Sequence, residues 1–536
     1  MVAAACLAAT GAQAQDLSSK ERAAIGILVD EIDTEGAPGF AIGIVRGGEI
    51  VLEEYRGLAD ISHSTPIGQG TRFNIASNAK QYTALMALSL AQAGQIDLDS
   101  DFRNYLPGAL PLVDTPITVR QLIEHRSGIR DVYDLWSLSG IEWYERALTN
   151  EDALTLLARQ EELNFAPGSR HLYSNSNYIL LAELVAAVTD EQFADHAKRF
   201  FARYDMTSTG WRKDYGRVVP QKARAYYRFD DWFENPDLAN LTGDGFLWTT
   251  LRDQMAFEAM VQRGGDRLLQ AAQARPATGS YGFGLEHDTD RGVQRVSHLG
   301  STGAYNAVML RYPNKDLSIL VMGNNATIGV VPLGYRVAEM LLGGDFGSRP
   351  DYPARPDSIA PRPANRDVVG RYEQEGGSII TIAERGGRLY RDLAGRDPVE
   401  LVHEEGALFA YSSNPDLKIH LEGKRFQVFL PSQPVATFER LAPVPLDEAW
   451  LQSVEGAYIN GETGAILRIE RIGGTDYRVT DMRGVGEAQM VAEDDLFWNG
   501  TRLRFERNAD GKVTKLHYAS GRTARISFSP MIEEHR

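Results

Sequence analysis

The stretch Thr71–Thr83, TRFNIASNAKQYT, places the hydroxyl of Ser77 three residues before the amine of Lys80. Residues three apart share a helix face, so a helix that opens here brings the two groups together. A serine hydroxyl is a weak nucleophile until a base takes its proton, and an amine that burial keeps neutral is such a base. The free N–H groups of a helix N-terminus can also bind an oxyanion. The stretch therefore predicts a nucleophilic centre.

A Ser-x-x-Lys arises about once by chance in a chain of this length, so the pair alone is weak evidence. Two further segments support it. One is Tyr173-Ser174-Asn175, which follows a turn at Pro167-Gly168 and precedes a predicted helix from Tyr178. The other is His298-Leu299-Gly300-Ser301. Each segment alone would be an ordinary turn. The three segments together predict one site.

Tyr173 and Asn175 are candidate site residues on a predicted loop that faces a cleft. The Tyr173 phenol is a general base, or a proton shuttle to the leaving group, if a nearby cation lowers its pKa. Asn175 is suited to hydrogen-bond either Lys80 or a substrate amide. Whether Lys80 or Tyr173 is the base in acylation stays open.

The segment at His298 is predicted to lie just before a strand that begins near Ala307, where a strand edge would hydrogen-bond an extended substrate. Gly300 allows the backbone to approach closely. The N–H of Ser301 would join that of Ser77 as the second oxyanion donor.

Composition narrows the function classes. A chain of 536 residues is too long for one compact core. Its net charge of -16 argues against nucleic acid or an anionic membrane surface as partner. No stretch beyond the N-terminus is long and apolar enough to predict a membrane span. Neither a His-Glu-x-x-His motif nor a Cys/His cluster is found, so the sequence predicts no metal and no cofactor.

Residues 1–14 read as the end of a secretory signal, with a small-x-small site at Ala12-Gln13-Ala14 but without the usual positive n-region. A disordered Ala-rich leader is the alternative, and Cys6 is a weak match to a lipoprotein anchor. Cleavage after Ala14 would remove Cys6, the one cysteine of the chain, and exclude disulfides. The prediction is a periplasmic or secreted protein.

The order of elements predicts an α+β domain at residues 17–345, with a helical cluster beside an antiparallel sheet. The predicted elements include helices at Ser18–Ile32 and Leu251–Val261 and a hairpin of Phe40–Val45 with Glu49–Tyr55. Residues 346–366 are Pro-rich and predict a stiff linker. Short β-rich runs with Gly and Asp turns follow, and they predict all-β modules at 367–441 and 449–531.

The two C-terminal modules repeat the same landmarks. Gly370-Arg371-Tyr372 corresponds to Gly456-Ala457-Tyr458, and Gly386-Gly387 corresponds to Gly473-Gly474. The near-constant spacing predicts two similar small antiparallel barrels. They carry no catalytic constellation, so structural support is the simplest role, and binding of a glycan or a protein partner is the alternative.

The chain resembles the penicillin-recognising serine hydrolases, which include class C β-lactamases, D-Ala-D-Ala carboxypeptidases, esterases and D-aminopeptidases. The resemblance covers about residues 25–330. Besides the three motifs it rests on His125–Asp131 (HRSGIRD), Gly243–Thr250 (GDGFLWTT), Tyr281–Leu285 (YGFGL), and Pro313 with Asn324-Asn325. It implies a β-lactamase-like domain in which Ser77 is acylated and Lys80 and Tyr173 form the acid/base pair.

The resemblance places His298 where most β-lactamases carry lysine. An unperturbed histidine is mostly neutral at pH 7, so a substrate without a terminal carboxylate is favoured. His-x-Gly is what the D-aminopeptidases carry, and their catalytic domain with two β-barrels resembles this chain end to end. In them a loop of the third domain helps to select a free N-terminal amine. Here Leu496–Leu503 has only a tight turn, so that loop is predicted to be missing.

These observations predict a serine hydrolase that cleaves a small peptide amide through an acyl-enzyme on Ser77, most simply as a D-aminopeptidase. A carboxylesterase or a β-lactamase would use the same residues on an ester or a β-lactam. A penicillin- or peptidoglycan-binding receptor that deacylates slowly is the alternative from another class. The oligomeric state stays open, with a homodimer as one option.

Overall fold

The computed structural model describes residues 16–374, 379–392, 397–431, 433–442, 447–498 and 500–531. The signal predicted at residues 1–14 lies outside them. The chain divides into two compact units. The first comprises the chain through Tyr133 with Glu142–Gln160 and Phe165–Gly347, and the second comprises Asp134–Ile141, Glu161–Asn164 and the chain from Ser348 onward. The bounds predicted for the individual domains and the linker remain predictions.

The described residues up to Gly347 form a mixed α+β region. Its helices are α1 (Ser19–Asp30), α2 (Lys80–Gln92), α3 (Val119–Ile123), α4 (Val132–Leu138), α5 (Asn150–Leu157), α6 (Asn175–Thr189), α7 (Phe193–Ala202), α8 (Leu251–Arg263), α9 (Arg267–Ala272) and α10 (Val330–Leu342). Its strands are β1 (Phe40–Arg46), β2 (Glu49–Arg56), β3 (Leu58–Asp60), β4 (Thr65–Pro66), β5 (Arg72–Asn74), β6 (Tyr226–Arg228), β7 (Trp232–Glu234), β8 (Trp248–Thr250), β9 (Tyr281–Gly282), β10 (Leu285–Asp290), β11 (Val293–Thr302), β12 (Tyr305–Tyr312) and β13 (Leu317–Gly323).

An antiparallel seven-stranded sheet, in the order β2-β1-β13-β12-β11-β10-β9, is the frame of this region as described. The predicted hairpin of β1 and β2 is present, and β12 pairs antiparallel with β13. The predicted α+β class, with an antiparallel sheet beside helices, is therefore confirmed.

Helices cover both faces of the sheet. On one face, α1 and α10 pack on strands β1, β12 and β13 through buried apolar side chains that include Ile25, Leu28, Ile42, Ile44, Val308, Leu310, Val321, Leu333 and Val337. On the other face α8 lies so close to β1 that a Cβ on Gly43 would come within 2.2 Å of the sulfur of Met255. The sheet is thus buried on both sides, which explains the nearly continuous apolar runs in β1 and β13.

One predicted boundary was wrong and one strand was not predicted. The helix expected from Tyr178 begins at Asn175, because the polar first turn is buried at the site and so does not show the apolar pattern of a core helix. His298–Ser301 precedes β12, which begins at Tyr305, near the predicted Ala307, but it also lies within the unpredicted strand β11. Ser297 and His298 are buried polar residues, so β11 lacks the alternation by which a half-buried strand is recognised.

The chain from Ser348 onward contains two closed barrels, each built from eight antiparallel strands. Short helices α11 (Asn365–Val368) and α12 (Glu448–Gln452) precede them. The first barrel consists of β14 (Gly370–Gln374), β15 (Ile379–Arg385), β16 (Arg388–Asp392), β17 (Val399–Glu405), β18 (Leu408–Tyr411), β19 (Asn414–Leu421), β20 (Arg425–Phe429) and β21 (Ala436–Arg440). The second consists of β22 (Gly456–Ile459), β23 (Ile466–Gly473), β24 (Asp476–Asp481), β25 (Gly484–Ala492), β26 (Asp495–Trp498), β27 (Thr501–Arg507), β28 (Val513–Ala519) and β29 (Ile526–Pro530).

The internal repeat has a physical counterpart in the barrels. Tyr372 and Tyr458 lie in the first strand of their barrels, and each donates its phenol hydrogen, over 2.8 Å, to a carbonyl four residues earlier. The paired glycines at 386–387 and 473–474 lie where the second strand of each barrel turns into the third. The prediction of two similar all-β barrels is therefore confirmed.

Among the helices of the described residues, none combines enough length with enough apolar character to span a bilayer.

A buried ion pair ties α8 to β12 and gives a test of this packing. Arg311 and Glu258 are each 2 % exposed, and the guanidinium donates to both carboxylate oxygens over 2.8 and 2.6 Å. Glu258→Gln should lower the free energy of unfolding by about 3 kcal/mol, because it leaves a buried charge without its counter-charge. Chemical denaturation measures this.

Glu31→Gln is the matched control, since Glu31 pairs with Arg336 on the surface, where both side chains are more than half exposed. Its effect should stay within about 0.5 kcal/mol. Equal effects of the two substitutions would contradict the buried-pair interpretation.

Candidate active site

The candidate nucleophile lies on a strained turn. Ser77 is part of a 3₁₀ turn, Ala76–Ala79, that continues directly into α2. Its neighbours on either side are buried, whereas Ser77 is half-exposed. Ala76 has a φ of 47°, which is unusual for a residue with a Cβ, and its N–H donates to the side chain of Asn74 over 2.9 Å. Strain held in place by the surrounding structure is typical of functional sites, and here it presents the hydroxyl.

Three oxygens lie within hydrogen-bonding distance of the Lys80 amine. The side chain is fully buried, and Nζ lies 3.1 Å from Ser77 Oγ. It donates to the side-chain oxygen of Asn175 over 2.9 Å and to the backbone carbonyl of Asp244 over 2.5 Å. These last two oxygens can only accept, so they use two N–H groups of the amine whatever its charge. The third direction from Nζ points to the serine hydroxyl.

Asp131 orients Asn175. One carboxylate oxygen of this buried residue accepts from the backbone N–H of Asn175 over 2.8 Å and from its Nδ2 over 2.9 Å. The amide nitrogen is thereby turned to Asp131, and the amide oxygen to Lys80. Of the two partners considered for Asn175, the structure provides Lys80.

Asp244 contacts Lys80 through its backbone carbonyl and Tyr133 through its carboxylate. Its carboxylate accepts a hydrogen bond from the phenol of Tyr133 over 2.8 Å. Burial raises the pKa of Asp244 above its usual range, and the charge of Lys80 opposes that rise. β5 and β8 pair antiparallel, so the turn before β8 lies beside the turn after β5 and Asp244 reaches Lys80.

Tyr173 lies over the lysine. The centre of its ring is 4.9 Å from Lys80 Nζ, and the ring is half-buried. The imidazole of His125 packs against it with ring centres 4.2 Å apart. His125 in turn accepts at Nδ1 from the N–H of Ser174 over 3.2 Å. Tyr173 is thus held beside Lys80 by stacking and by its own backbone.

His298 is buried, and both of its ring nitrogens are engaged. Nδ1 lies 2.7 Å from the carbonyl of Leu299 and therefore carries the hydrogen. Nε2 then accepts from the phenol of Tyr281, 3.0 Å away. Burial and the nearby charge of Lys80 lower the pKa of His298 to about 3. The ring is neutral at pH 7, so it supplies no positive charge to a substrate.

Strand β11 lies against the 3₁₀ turn Ala76–Ala79, which we call the nucleophile turn. Asn78 bridges them: in the amide orientation that satisfies both groups, it donates to the carbonyl of His298 over 2.9 Å and accepts from the N–H of Gly300 over 3.2 Å. A Cβ on Gly300 would come within 2.4 Å of the carbonyl of Ile75, so only glycine allows this approach. Ser301 follows and is exposed.

The edge of β11 beyond Ser297 is arranged for an extended ligand. The register with β10 ends at Ser297, whereas the pairing with β12 continues to Thr302. Along residues 298–302 the described chain therefore places no strand on the β10 side. An extended substrate could add there as a further strand.

The structure brings Ser77, Lys80, Tyr173 and Asn175 into one cluster and places His298, Gly300 and Ser301 on the adjoining strand. The predicted list lacked Asp131, Asp244, Tyr133, Tyr281 and Asn78. Four of these five lie within or next to segments that carried the family resemblance, which was the available signal. Their roles depend on contacts between distant segments, and those contacts appear only in the fold. The described residues contain no group of three or more His, Cys, Asp or Glu side chains arranged to hold a metal ion.

The family follows from comparison with known proteins. The beta-lactamase family model matches residues 25–337, which is more than half of the chain. The chain belongs to the beta-lactamase family. The predicted membership and the predicted β-lactamase-like domain are thereby confirmed.

Relatives of this chain include D-aminopeptidases. One from Cereibacter sphaeroides is 28% identical over 336 residues, which cover 60% of this chain and 63% of that relative. The match therefore spans less than two thirds of the relative's length. Another, from Brucella canis, is 27% identical over 472 residues, or 82% of each chain.

Solved structures show the same fold. The octameric penicillin-binding protein homologue from Pyrococcus abyssi has a TM-score of 0.55 and is 20% identical, covering 78% of this chain and 99% of its own. Fold and family together support a serine hydrolase.

Gly300→Ala tests the close approach of β11 to the nucleophile turn. The new Cβ would collide with the backbone at Ile75 and displace Ser77 from its partners. We expect the acylation of Ser77 by p-nitrophenyl acetate to slow by about a hundredfold, the cost of a displacement of about 1 Å at a reacting centre. Gly26→Ala in α1, where a Cβ meets nothing within 4 Å, is the control. A Gly300→Ala protein that reacts at the wild-type rate would contradict the interpretation.

The neutral His298 predicts a pH dependence of stability. Its pKa is about 3 in the folded chain, against about 6.5 when unfolded, so only the unfolded state binds the proton between these values. Stability should therefore fall as the pH drops below about 6.5, by at most about 1.4 kcal/mol per pH unit from this group. His298→Gln should make the fall shallower in urea denaturation between pH 7 and pH 4.5. An unchanged slope would show that His298 does not contribute.

Proposed function

We propose that this protein is a serine hydrolase that works through an acyl-enzyme on Ser77 and acts as a D-aminopeptidase, releasing an N-terminal D-residue from a small peptide. The observation that carries the proposal is the fully buried amine of Lys80, 3.1 Å from Ser77 Oγ. Burial disfavours the charged form of an amine and so favours the neutral amine that a base must be.

The hydrogen bonds around Lys80 suit a general base. A neutral amine has two N–H groups and one lone pair. Asn175 and Asp244 accept the two N–H groups, and the lone pair then faces the hydroxyl of Ser77. The serine donates its hydrogen to Nζ, and its oxygen attacks the carbonyl carbon as that proton transfers.

The remaining steps return the proton. The Oγ–carbon bond forms, and the carbonyl electrons become an oxyanion that the N–H groups of Ser77 and Ser301 are proposed to bind. The carbon–nitrogen bond then breaks, and the leaving amine takes the proton from Lys80 through Tyr173, whose ring lies over the same amine. Water, deprotonated by the same pair, hydrolyses the acyl-enzyme and regenerates Ser77.

The charge of the site separates the substrate classes. His298 is buried and neutral, so it does not bind a terminal carboxylate as a lysine would. This disfavours a carboxypeptidase and β-lactams that carry an acid group. A substrate with a free amine and an uncharged scissile amide remains, and D-aminopeptidases are among the relatives of the chain.

A carboxylesterase is the second candidate. Trp498 of β26 pairs directly with Thr501 of β27, so two residues connect these strands, and one of them, Asn499, lies outside the described residues. The connection is as short as the sequence predicts. A connection this short leaves no room for an amine-selecting loop, which favours ester substrates that need no free amine.

Hydrolysis of D-alanine p-nitroanilide tests the proposal. Ser77→Ala should abolish turnover, and Lys80→Ala should reduce it by about a hundredfold or more, the usual contribution of a general base. Ser19→Ala and Lys20→Ala, on the exposed start of α1, are the matched controls and should leave the rate unchanged. Full activity of the Ser77→Ala protein would overturn the assignment.

Three companion compounds separate the alternatives. Turnover of p-nitrophenyl acetate without turnover of the anilide would favour the carboxylesterase. A Ser77 adduct with penicillin that forms but does not hydrolyse would favour a binding receptor. Faster cleavage of N-acetyl-D-Ala-D-Ala than of D-alanine p-nitroanilide would contradict the argument from His298.

A further inference from the structure

A group of aromatic side chains lies beside the catalytic cluster and takes no part in the steps above. We call Tyr133, Trp143, Tyr144 and Phe246 the aromatic wall. The ring centre of Trp143 lies 6.0 Å from that of Tyr133, 5.6 Å from that of Tyr144 and 6.1 Å from that of Phe246. All three pairs are edge-to-face, which aromatic rings prefer. Trp143 is therefore the centre of one contiguous apolar surface.

The aromatic wall is joined to the nucleophile at two points. Tyr133 hydrogen-bonds the carboxylate of Asp244, whose carbonyl holds Lys80. Phe246 follows Gly245, where a Cβ would lie 3.6 Å from the backbone of Ala76, next to Ser77. The wall therefore begins beside Asp244 and Ala76, which contact or adjoin Lys80 and Ser77.

Phe246 is held in a strained conformation. Its φ of 58° is a genuine outlier for so large a side chain. The ring is 6 % exposed and packs against Trp143. Strain maintained at a ring beside a nucleophile points to a functional requirement for that ring's position.

The outer part of the wall is open to solvent. Tyr133 and Trp143 are half-exposed, and Tyr144 is 44 % exposed. The wall thus runs from the hydrogen bond of Tyr133 with Asp244 outward to the exposed ring of Tyr144.

We propose that the aromatic wall binds the side chain of the residue whose carbonyl is attacked, so that the preferred substrates carry an aromatic or long apolar side chain on the N-terminal D-residue. The proposal rests on the proposed function. It names one occupant of the surface, because the wall begins at the groups that hold the nucleophile and opens to solvent beside them.

The position of Tyr173 separates the acyl side from the leaving-group side. The leaving amine must take its proton beside Tyr173, and the rings that pack around Tyr173 at tilted or edge-to-face angles belong to His125, Tyr281 and His298. Trp143 instead contacts Tyr133, Tyr144 and Phe246. The acyl side chain therefore faces the aromatic wall, and the leaving group faces the rings around Tyr173.

The test compares D-phenylalanine, D-leucine and D-alanine p-nitroanilides, which differ only in the acyl side chain. We expect kcat/KM for the D-phenylalanine substrate to exceed that for D-alanine by about tenfold or more, the gain that apolar pockets give. Trp143→Ala should remove most of this preference while leaving the D-alanine rate within about threefold, because a methyl group does not reach the wall. Trp143→Phe should restore part of it.

Tyr144→Ala and Tyr215→Ala form a matched pair. Both tyrosines are exposed, 44 % and 53 %, so neither substitution threatens the fold. Tyr144→Ala should reduce the preference for D-phenylalanine, and Tyr215→Ala should not. Equal kcat/KM for the D-phenylalanine and D-alanine substrates in the wild-type protein would overturn the proposal, and so would a Trp143→Ala effect that follows the leaving group instead of the acyl side chain.

A binding measurement keeps the wall testable if the proposed function fails. Calorimetry on the Ser77→Ala protein measures the affinity for free D-phenylalanine and for free D-alanine without catalysis. Tighter binding of D-phenylalanine that Trp143→Ala abolishes would support the wall even if no anilide is cleaved. Equal binding of the two amino acids would overturn it.

Discussion

The burial of one amine is the constraint on which the rest of the site depends. Removing Lys80 Nζ from water is expensive unless oxygens replace the lost hydration. The fold supplies them from α6, through Asn175, and from the turn before β8, through Asp244. Because both oxygens are fixed acceptors, the remaining direction of Nζ belongs to Ser77. Three segments far apart in the chain must therefore meet with ångström accuracy, and the antiparallel sheet and the buried helix α2 are the rigid elements that allow it.

Close backbone approach and local strain are the means by which the segments meet. A Cβ on Gly284 would come within 2.3 Å of the N–H nitrogen of Gln81, just as one on Gly300 would strike the carbonyl of Ile75. Ala76, Phe246 and Ala304, which have side chains, adopt positive φ around the same site. Such conformations persist only where the surroundings determine them, so the packing of α2, β8 and β11 stabilises the strained turns. Strained turns and close packing both serve to hold the distant segments together around Ser77.

Local patterns explain what could be predicted from the sequence. The spacing of Ser77 and Lys80 encodes a shared helix face, and the repeated Gly-x-Tyr landmarks encode the two barrels, because each pattern depends on neighbours in the chain. Asp244 meets Lys80 across 164 residues, and no local pattern reports such a contact. His298 was expected beside a strand edge. The structure buries its ring and pairs its Nε2 with Tyr281, which lies in a two-residue strand too short to recognise in advance.

The electrostatics of the site bear on the choice of substrate. Asp131 accepts two N–H groups at one oxygen, as a carboxylate does, and it lies one amide away from the lysine. The buried ring of His298 is neutral at pH 7, so the site offers no imidazolium to a substrate carboxylate. The proposed preference for a substrate with a free amine thus depends on the same burial that governs the proposed chemistry of Ser77.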